Sequence, residues 1–378
     1  MSDALSIARL ALAGSLLFLA VFAVCKVPVG VLWKPAVGAT EYGHLLALIC
    51  VALSLPGWGD SRQTTAFAMA CVAALLFSTP TFRALKAARV AATDGAGLWG
   101  ELELPNAQST PFSAFRMFTA GPSSVEVNRH VYDAEHGLEL ELYGSPEGPE
   151  RPLVVVIHGG SWNSGDYSQL PAINHHLSGL GYAVAAITYR LAPEHTFPAP
   201  REDVNTAIAW LKRHASRFGI DPTRIALMGR SAGGQLALSA AYDAHDPSIK
   251  GVVSYYAPVD LPYAWTHPTN PWVIDTHTSL SDYLGGTLDQ VPERYAEASP
   301  IRAVDAETPP TLLIHGGRDE LVFPIQTERL RQRLVTEGTP HLVIDLPWAT
   351  HGLEANIRGP SGQISTWAIE RFLAMVFS

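Results

Sequence analysis

The sequence predicts an α/β fold, a mostly parallel sheet with helices on both faces, preceded by N-terminal transmembrane helices. Three observations predict it. After Val125, short apolar runs alternate with helical patterns of ten or more residues, as strands joined by crossover helices do. Within that alternation the apolar run Ile225–Met228 passes through Gly229-Arg230-Ser231-Ala232-Gly233 straight into a helical stretch, Gly234–Ala241. Ahead of it all lie three apolar segments, Leu5–Val24, His44–Leu55 and Thr64–Phe77.

At 378 residues the chain exceeds one average domain, and α/β units of roughly 250 residues are ordinary. Hydrophobic residues make up 47%, with the excess in the first ninety positions. A net charge of −9 and the lack of a long basic run argue against nucleic acid as a partner. Cys25, Cys50 and Cys71 all fall in the apolar N-terminal region, so neither a disulfide nor a zinc framework supports the rest; packing is their expected role.

The run Leu5–Val24 has about membrane-spanning length, with Arg9 near enough its start to snorkel. His44–Leu55 is short enough to be interfacial, so two or three transmembrane helices are expected in residues 1–90. With three spans, Lys26, Lys34, Arg83, Lys86 and Arg89 share one side and Arg9 and Arg62 the other. That bias puts the large domain in the cytoplasm and makes the lipid bilayer a partner. Residues 91–124 are rich in Gly, Pro, Ser and Thr and read as a linker, lying on the membrane or capping the active site. Their Gly95-Ala-Gly-Leu-Trp-Gly100 matches a dinucleotide-binding pattern only formally, since no strand precedes it.

Residues 125–378 carry the α/β domain. Val125–Val131 and Leu138–Tyr143 read as paired strands about a turn at His136-Gly137; further strands are expected at Leu153–Ile157, Ala183–Thr188, Gly251–Tyr256, Thr311–His315 and His341–Leu346. Helices are expected at Leu170–Leu180, Asp203–Ala215 and Gln326–Thr336, and from Ser361 onward. The loop between Val259 and Pro300 holds Trp265, His267, Trp272, Tyr283 and Tyr295, aromatics suited to an apolar acyl or alcohol pocket.

Strand, G-x-S-x-G turn and helix together form a nucleophile elbow. A serine at the apex of a strained turn needs neighbours without bulk, because strand and helix approach closely on both sides. Its hydroxyl needs a base, and the base needs an orienting acid. Downstream, Asp319 follows one strand and His351 follows the next, so both fall on the rim that carries Ser231. Glu320 would point elsewhere, and Asp305 precedes its strand and lies at the opposite end. Backbone N–H groups that stabilise a developing oxyanion are expected at Gly159, Gly160 and Ala232. A second His-Gly-Gly at 315–317 is in the wrong place for that task.

His158-Gly-Gly-Ser-Trp162, Tyr189-Arg-Leu-Ala-Pro-Glu-His195, Gly229–Gly233, Asp319 and His351 together resemble the α/β-hydrolase esterases related to hormone-sensitive lipase. The His-Gly-Gly-x-Trp form and Gly219–Ile225 are closer to the bacterial carboxylesterase and prenylcysteine-methylesterase-like branch. The resemblance covers roughly the last two thirds of the chain. It implies an α/β-hydrolase fold, a structural role for Tyr189–His195, a loop-fixing role for His158, and ester hydrolysis. Separately, the sequence holds no H-E-x-x-H, paired-cysteine, P-loop or EF-hand pattern, so no metal or cofactor is expected. Ser161 departs from it, standing where the hormone-sensitive lipase group usually has a third glycine.

The expectation is therefore a membrane-anchored serine hydrolase that cleaves carboxylic esters through an acyl-enzyme. Ser231 attacks, His351 is base then acid, and Asp319 orients it; the substrate is a small-molecule or lipid-like ester. An amidase or peptidase would share every one of these residues, and a degenerate hydrolase could serve as a membrane-bound binding module. A chain starting near Val125 is expected to be soluble and active.

Overall fold

The computed structural model describes residues 3–100, 102, 104 and 107–378. Four helices come first: α1 (Asp3–Val21), α2 (Trp33–Glu41), α3 (Gly43–Ser54) and α4 (Ser61–Trp99). By length and composition, α1 and α4 could each cross a membrane; Gly30–Glu41 with Gly43–Ser54, bent by 79°, passes the same test as a pair. Alanines at 13, 66 and 70 let α1 and α4 approach closely. The buried Arg9 donates to Leu53 O at 3.0 Å, in the last turn of α3, and to Gly57 O at 2.9 Å, in the turn that follows it. In α2, Pro35 occupies the first turn, where its missing N–H costs nothing.

Contrary to the expected break near residue 90, α4 continues as one helix to Trp99. Its later turns bear Ala84, Ala88, Ala91 and Trp99, which pack into the core of the α/β domain; the Trp99 ring lies 5.6 Å from that of Trp367. Gly95 fits this helix because a Cβ there would fall 2.1 Å from the Trp99 ring. The formal glycine pattern is thus a helix packing against its own tryptophan. Downstream, Ser113 N–H donates to Gln363 Oε1 at 2.9 Å and Gln108 N–H to Glu370 Oε2 at 2.7 Å. This segment lies along the C-terminal helix, and among its described residues none lines the cavity below.

The α/β domain runs β1 (Val127–Asp133), β2 (Leu138–Tyr143), β3 (Arg151–Ile157), α5 (Ala172–Gly179), β4 (Ala183–Ile187), α6 (Ala199–Arg213), α7 (Ala215–Phe218) and β5 (Ile220–Arg230). It continues through α8 (Ala232–Ala244), β6 (Ile249–Tyr255), α9 (Leu261–Thr266), α10 (Thr276–Leu284), α11 (Pro292–Glu297), β7 (Thr311–Gly316), α12 (Ile325–Glu337), β8 (His341–Leu346) and α13 (Pro360–Val376). The strands form one sheet in the order β1-β2-β4-β3-β5-β6-β7-β8, antiparallel at β1–β2 and β2–β4 and parallel elsewhere.

Central strands are apolar throughout because both faces are covered. On β3, Leu153, Val155 and Ile157 face the layer of α6, α8 and α12, while Val154 and Val156 face α5 and α13. Gly137, at φ +65°, turns the β1–β2 hairpin where the sequence places it. The parallel strands carry their C-terminal ends to one rim, and the loops leaving that rim build the site.

Candidate active site

β5 leads directly into Ser231, whose φ of 53° and ψ of −121° are unfavourable for a residue with a side chain; holding it costs of order 1–3 kcal/mol. The surroundings hold it there. Ser231 N–H donates to Tyr255 O at 2.9 Å, and α8 begins at the next residue. The flanking glycines are steric necessities: a Cβ on Gly229 would lie 2.0 Å from Gly233 O, and one on Gly233 2.2 Å from His158 O.

His351, in the loop after β8, is buried, and its Nδ1 lies 2.6 Å from Asp319 Oδ2. Asp319 Oδ1 accepts from Leu321 N–H at 2.8 Å and Val322 N–H at 2.9 Å, and His315 Nε2 stands 3.4 Å from Oδ2. Burial alone would raise the Asp319 carboxyl, but the His351 charge and the bonds from His315 and His351 hold it well below the usual carboxylate range. An anionic Asp319 keeps the proton on Nδ1, leaving Nε2 with no protein partner among the described residues. The rival acids point away: Glu320 pairs with Lys26, and Asp305 sits near His245 at 3.7 Å.

Three groups that sequence reasoning passed over tie the elbow to the histidine loop. Arg230, next to the serine, and Glu354, three residues past the histidine, form a buried pair with Nε 3.0 Å from Oε1. The Tyr256 hydroxyl donates to Glu354, and the Tyr256 ring lies 4.1 Å from the His351 ring. The one available signal was an arginine inside a pentapeptide that must be buried.

Gly159 differs from its expected part. Its N–H donates to Gln169 Oε1 at 2.8 Å, whereas among the described residues the N–H groups of Gly160, Ser161 and Ala232 have no protein acceptor. Ser161 occupies φ +51°, a conformation that favours the glycine it replaces. The loop is fixed from behind: Trp162 stacks on Tyr283 at 4.2 Å and donates Nε1–H to Gln235 Oε1 at 2.9 Å. Tyr189 stacks on His158 at 4.3 Å and donates its hydroxyl to His158 O at 3.2 Å.

Burial pushes His158 from its ordinary value near 6.5 down to about 4. Above pH 6.5 neither folded nor unfolded chain binds this proton. As pH falls towards 4 the unfolded chain binds it first, so stability drops in that window, by about 3 kcal/mol at the limit. The thermal midpoint in detergent is expected to fall between pH 6.5 and 4, and His158→Gln to flatten that slope. An unchanged slope in the variant would exclude His158 as its source.

Ser231, His351, Gly160 and Ala232 open on one cavity of about 800 Å³. The loop between β6 and β7 contributes Tyr263, Val273, Ile274 and Leu280 to its wall. Of that loop's expected pocket aromatics, only His267 is among the lining residues. Tyr283 and Tyr295 turn into the core, where their hydroxyls reach Gln235 Oε1 and Gly286 O, each at 3.2 Å, and Trp272 is 77% exposed. Another wall comes from the N-terminal region, through Trp33, Lys34, Val37, Gly38 and Tyr42.

A mostly parallel eight-stranded sheet with a serine at a strained strand-to-helix turn defines an α/β-hydrolase fold. Residues 140–334, just over half of the chain, match the BD-FAE family. Esterase LipC of Mycobacterium tuberculosis is 32% identical over 61% of this chain and 60% of its own length. The probable carboxylic ester hydrolase LipM of the same organism is 30% identical over 76% of this chain and 69% of its own. An esterase from Pyrobaculum calidifontis has the same fold, with a TM-score of 0.59 at 24% identity over 78% of this chain and 94% of that one. The chain belongs to the BD-FAE family, and its relatives put it with the hormone-sensitive-lipase-like carboxylesterases.

Proposed function

We propose that this protein is a membrane-integral serine hydrolase that cleaves carboxylic esters. The buried Asp319–His351 pair, opening with a strained Ser231 on one cavity, carries the reading. His351 Nε2 takes the proton as Ser231 Oγ attacks the carbonyl carbon. The negative charge that develops on the oxygen is met by the N–H groups of Gly160 and Ala232, fixed in advance and so without reorganisation cost. Gly159 serves this hole by its bareness: a Cβ there would lie 2.9 Å from Arg230 O, so glycine lets the loop sit against the elbow. His351 then returns the proton to the leaving alcohol, and water repeats the sequence on the acyl-enzyme. The naming of LipC as an esterase and of LipM as a probable carboxylic ester hydrolase supports the ester as the bond cleaved.

In the same reading α1 and α4 cross the bilayer, and α3, bent away from α2, enters it packed against α4. Arg9 and Arg62 stand at the end remote from the α/β domain and Lys26, Lys34, Arg83, Lys86 and Arg89 at the near end, a bias that supports the cytoplasm as the side of that domain. A panel pairing each ester with its amide tests the bond type, alongside labelling by a fluorophosphonate. Ester turnover at least 100-fold above amide turnover, with Ser231 labelled, is expected. Equal rates would make the protein an amidase, and an unlabelled Ser231 in folded protein would make it a binding module.

A further inference from the structure

The N-terminal region does more than precede the hydrolase. α2 is fastened along the loop that carries His351. Trp33 Nε1–H donates to His351 O at 2.6 Å, and Asn356 Nδ2–H donates to Glu41 O at 3.0 Å. The Glu41 carboxyl group accepts from Ser361 N–H at 3.0 Å and Ser361 Oγ–H at 2.7 Å, at the start of α13. The acid loop is held too: Arg318, next to Asp319, donates to Ala23 O at 2.7 Å, just past the end of α1. Both loops that face Ser231 thus rest on the connection between the first two apolar helices.

That connection also forms a wall of the cavity through Trp33, Lys34, Val37, Gly38 and Tyr42, and the wall is apolar at Val37 and Gly38. Val37 and Gly38 lie on its lining, and a Cβ added at Gly38 meets no heavy atom within 4 Å. The side of α2 at Gly38 therefore faces open cavity. The rim is continuous with exposed apolar surface. Val31 is 81% exposed, and Gly30 N–H donates to the carbonyl of Trp272, itself 77% exposed, beside the lining residues Val273 and Ile274. A cavity of about 800 Å³ is far larger than an acetyl ester needs.

We propose that the Val37–Gly38 face of α2 is the subsite for a long apolar chain, and that the substrates are esters bearing such a chain, drawn from the bilayer beside α1 and α3. The proposal rests on ester hydrolysis at Ser231. Water carries short esters into the cavity as well, whereas a chain of a dozen carbons has to lie along α2. Filling the open space at Gly38 therefore penalises long chains over short ones.

The test uses the full-length protein in lipid nanodiscs with p-nitrophenyl acetate and p-nitrophenyl dodecanoate. The measured quantity is the ratio of kcat/KM for dodecanoate to that for acetate. Gly38→Phe is expected to lower this ratio at least thirtyfold and Gly38→Leu by a smaller factor, with thermal midpoints recorded for both. Gly38→Leu keeps the test decisive should the phenylalanine variant fail to fold. A folded leucine variant with the parent ratio would overturn the α2 subsite. A parent protein that hydrolyses neither ester and is not labelled at Ser231 by a fluorophosphonate would instead overturn ester hydrolysis itself.

Discussion

Ser231→Ala is expected to lower turnover of short-chain aryl esters by at least about 10⁴-fold, because the acyl-enzyme route disappears with the nucleophile. Binding and oxyanion stabilisation would remain, so a small residual rate above water is compatible with the mechanism. The substitution leaves the Asp319–His351 bond and the Arg230–Glu354 pair in place, and the folded state should survive it. Rates within tenfold of the parent would remove the elbow from the chemistry. Measuring the thermal midpoint beside the rate separates lost chemistry from lost structure.

The second large effect is expected from removing the N-terminal region. Taken from the sequence alone, a chain starting near Val125 should be soluble and active; the tertiary contacts reverse that expectation. Truncation there uncovers Trp367, and with it the part of the core that α4 covers. Arg318 loses its acceptors at Phe22, Ala23 and Cys25 and keeps Trp348 O, so the loop next to Asp319 is no longer fixed from the N-terminal side. The His351 loop loses Trp33, and the start of α13 loses Glu41. The truncated chain is expected to aggregate or to retain under about 1% of parental kcat/KM for p-nitrophenyl acetate in detergent, since misplacing a catalytic group by about 1 Å costs about 100-fold. A soluble Val125–Ser378 chain with parental rates would reduce α1–α4 to an anchor.

Much of the molecule was legible because its signals are local. Alternation of apolar runs with helical periods marks strands and helices within a dozen residues. Gly229 and Gly233 announce an elbow because no side chain fits beside it, a constraint carried by five consecutive residues. The order of Ser231, Asp319 and His351, each after its strand, suffices to bring three side chains to one rim of a parallel sheet. Hydropathy alone marks the helices long enough for a bilayer.

Tertiary structure decided what joins distant parts of the chain. Trp33 reaches the carbonyl of His351 across 318 positions, and no periodicity encodes such a contact. The same holds for Arg230 with Glu354 and for Gln169, which takes the Gly159 N–H that the motif alone assigns to an oxyanion. Tyr283 and Tyr295 read as pocket aromatics by composition, yet their hydroxyls found acceptors in the core and drew the rings inward. The stretch after residue 90 looked like a linker because its glycines and polar residues mask a face of small side chains. That face becomes a packing surface only where Trp99 and α13 meet it. Sequence specifies the elements and the chemistry each end can carry. Which apolar face covers which reactive loop depends on shape complementarity between segments hundreds of residues apart, and only the folded chain settles that.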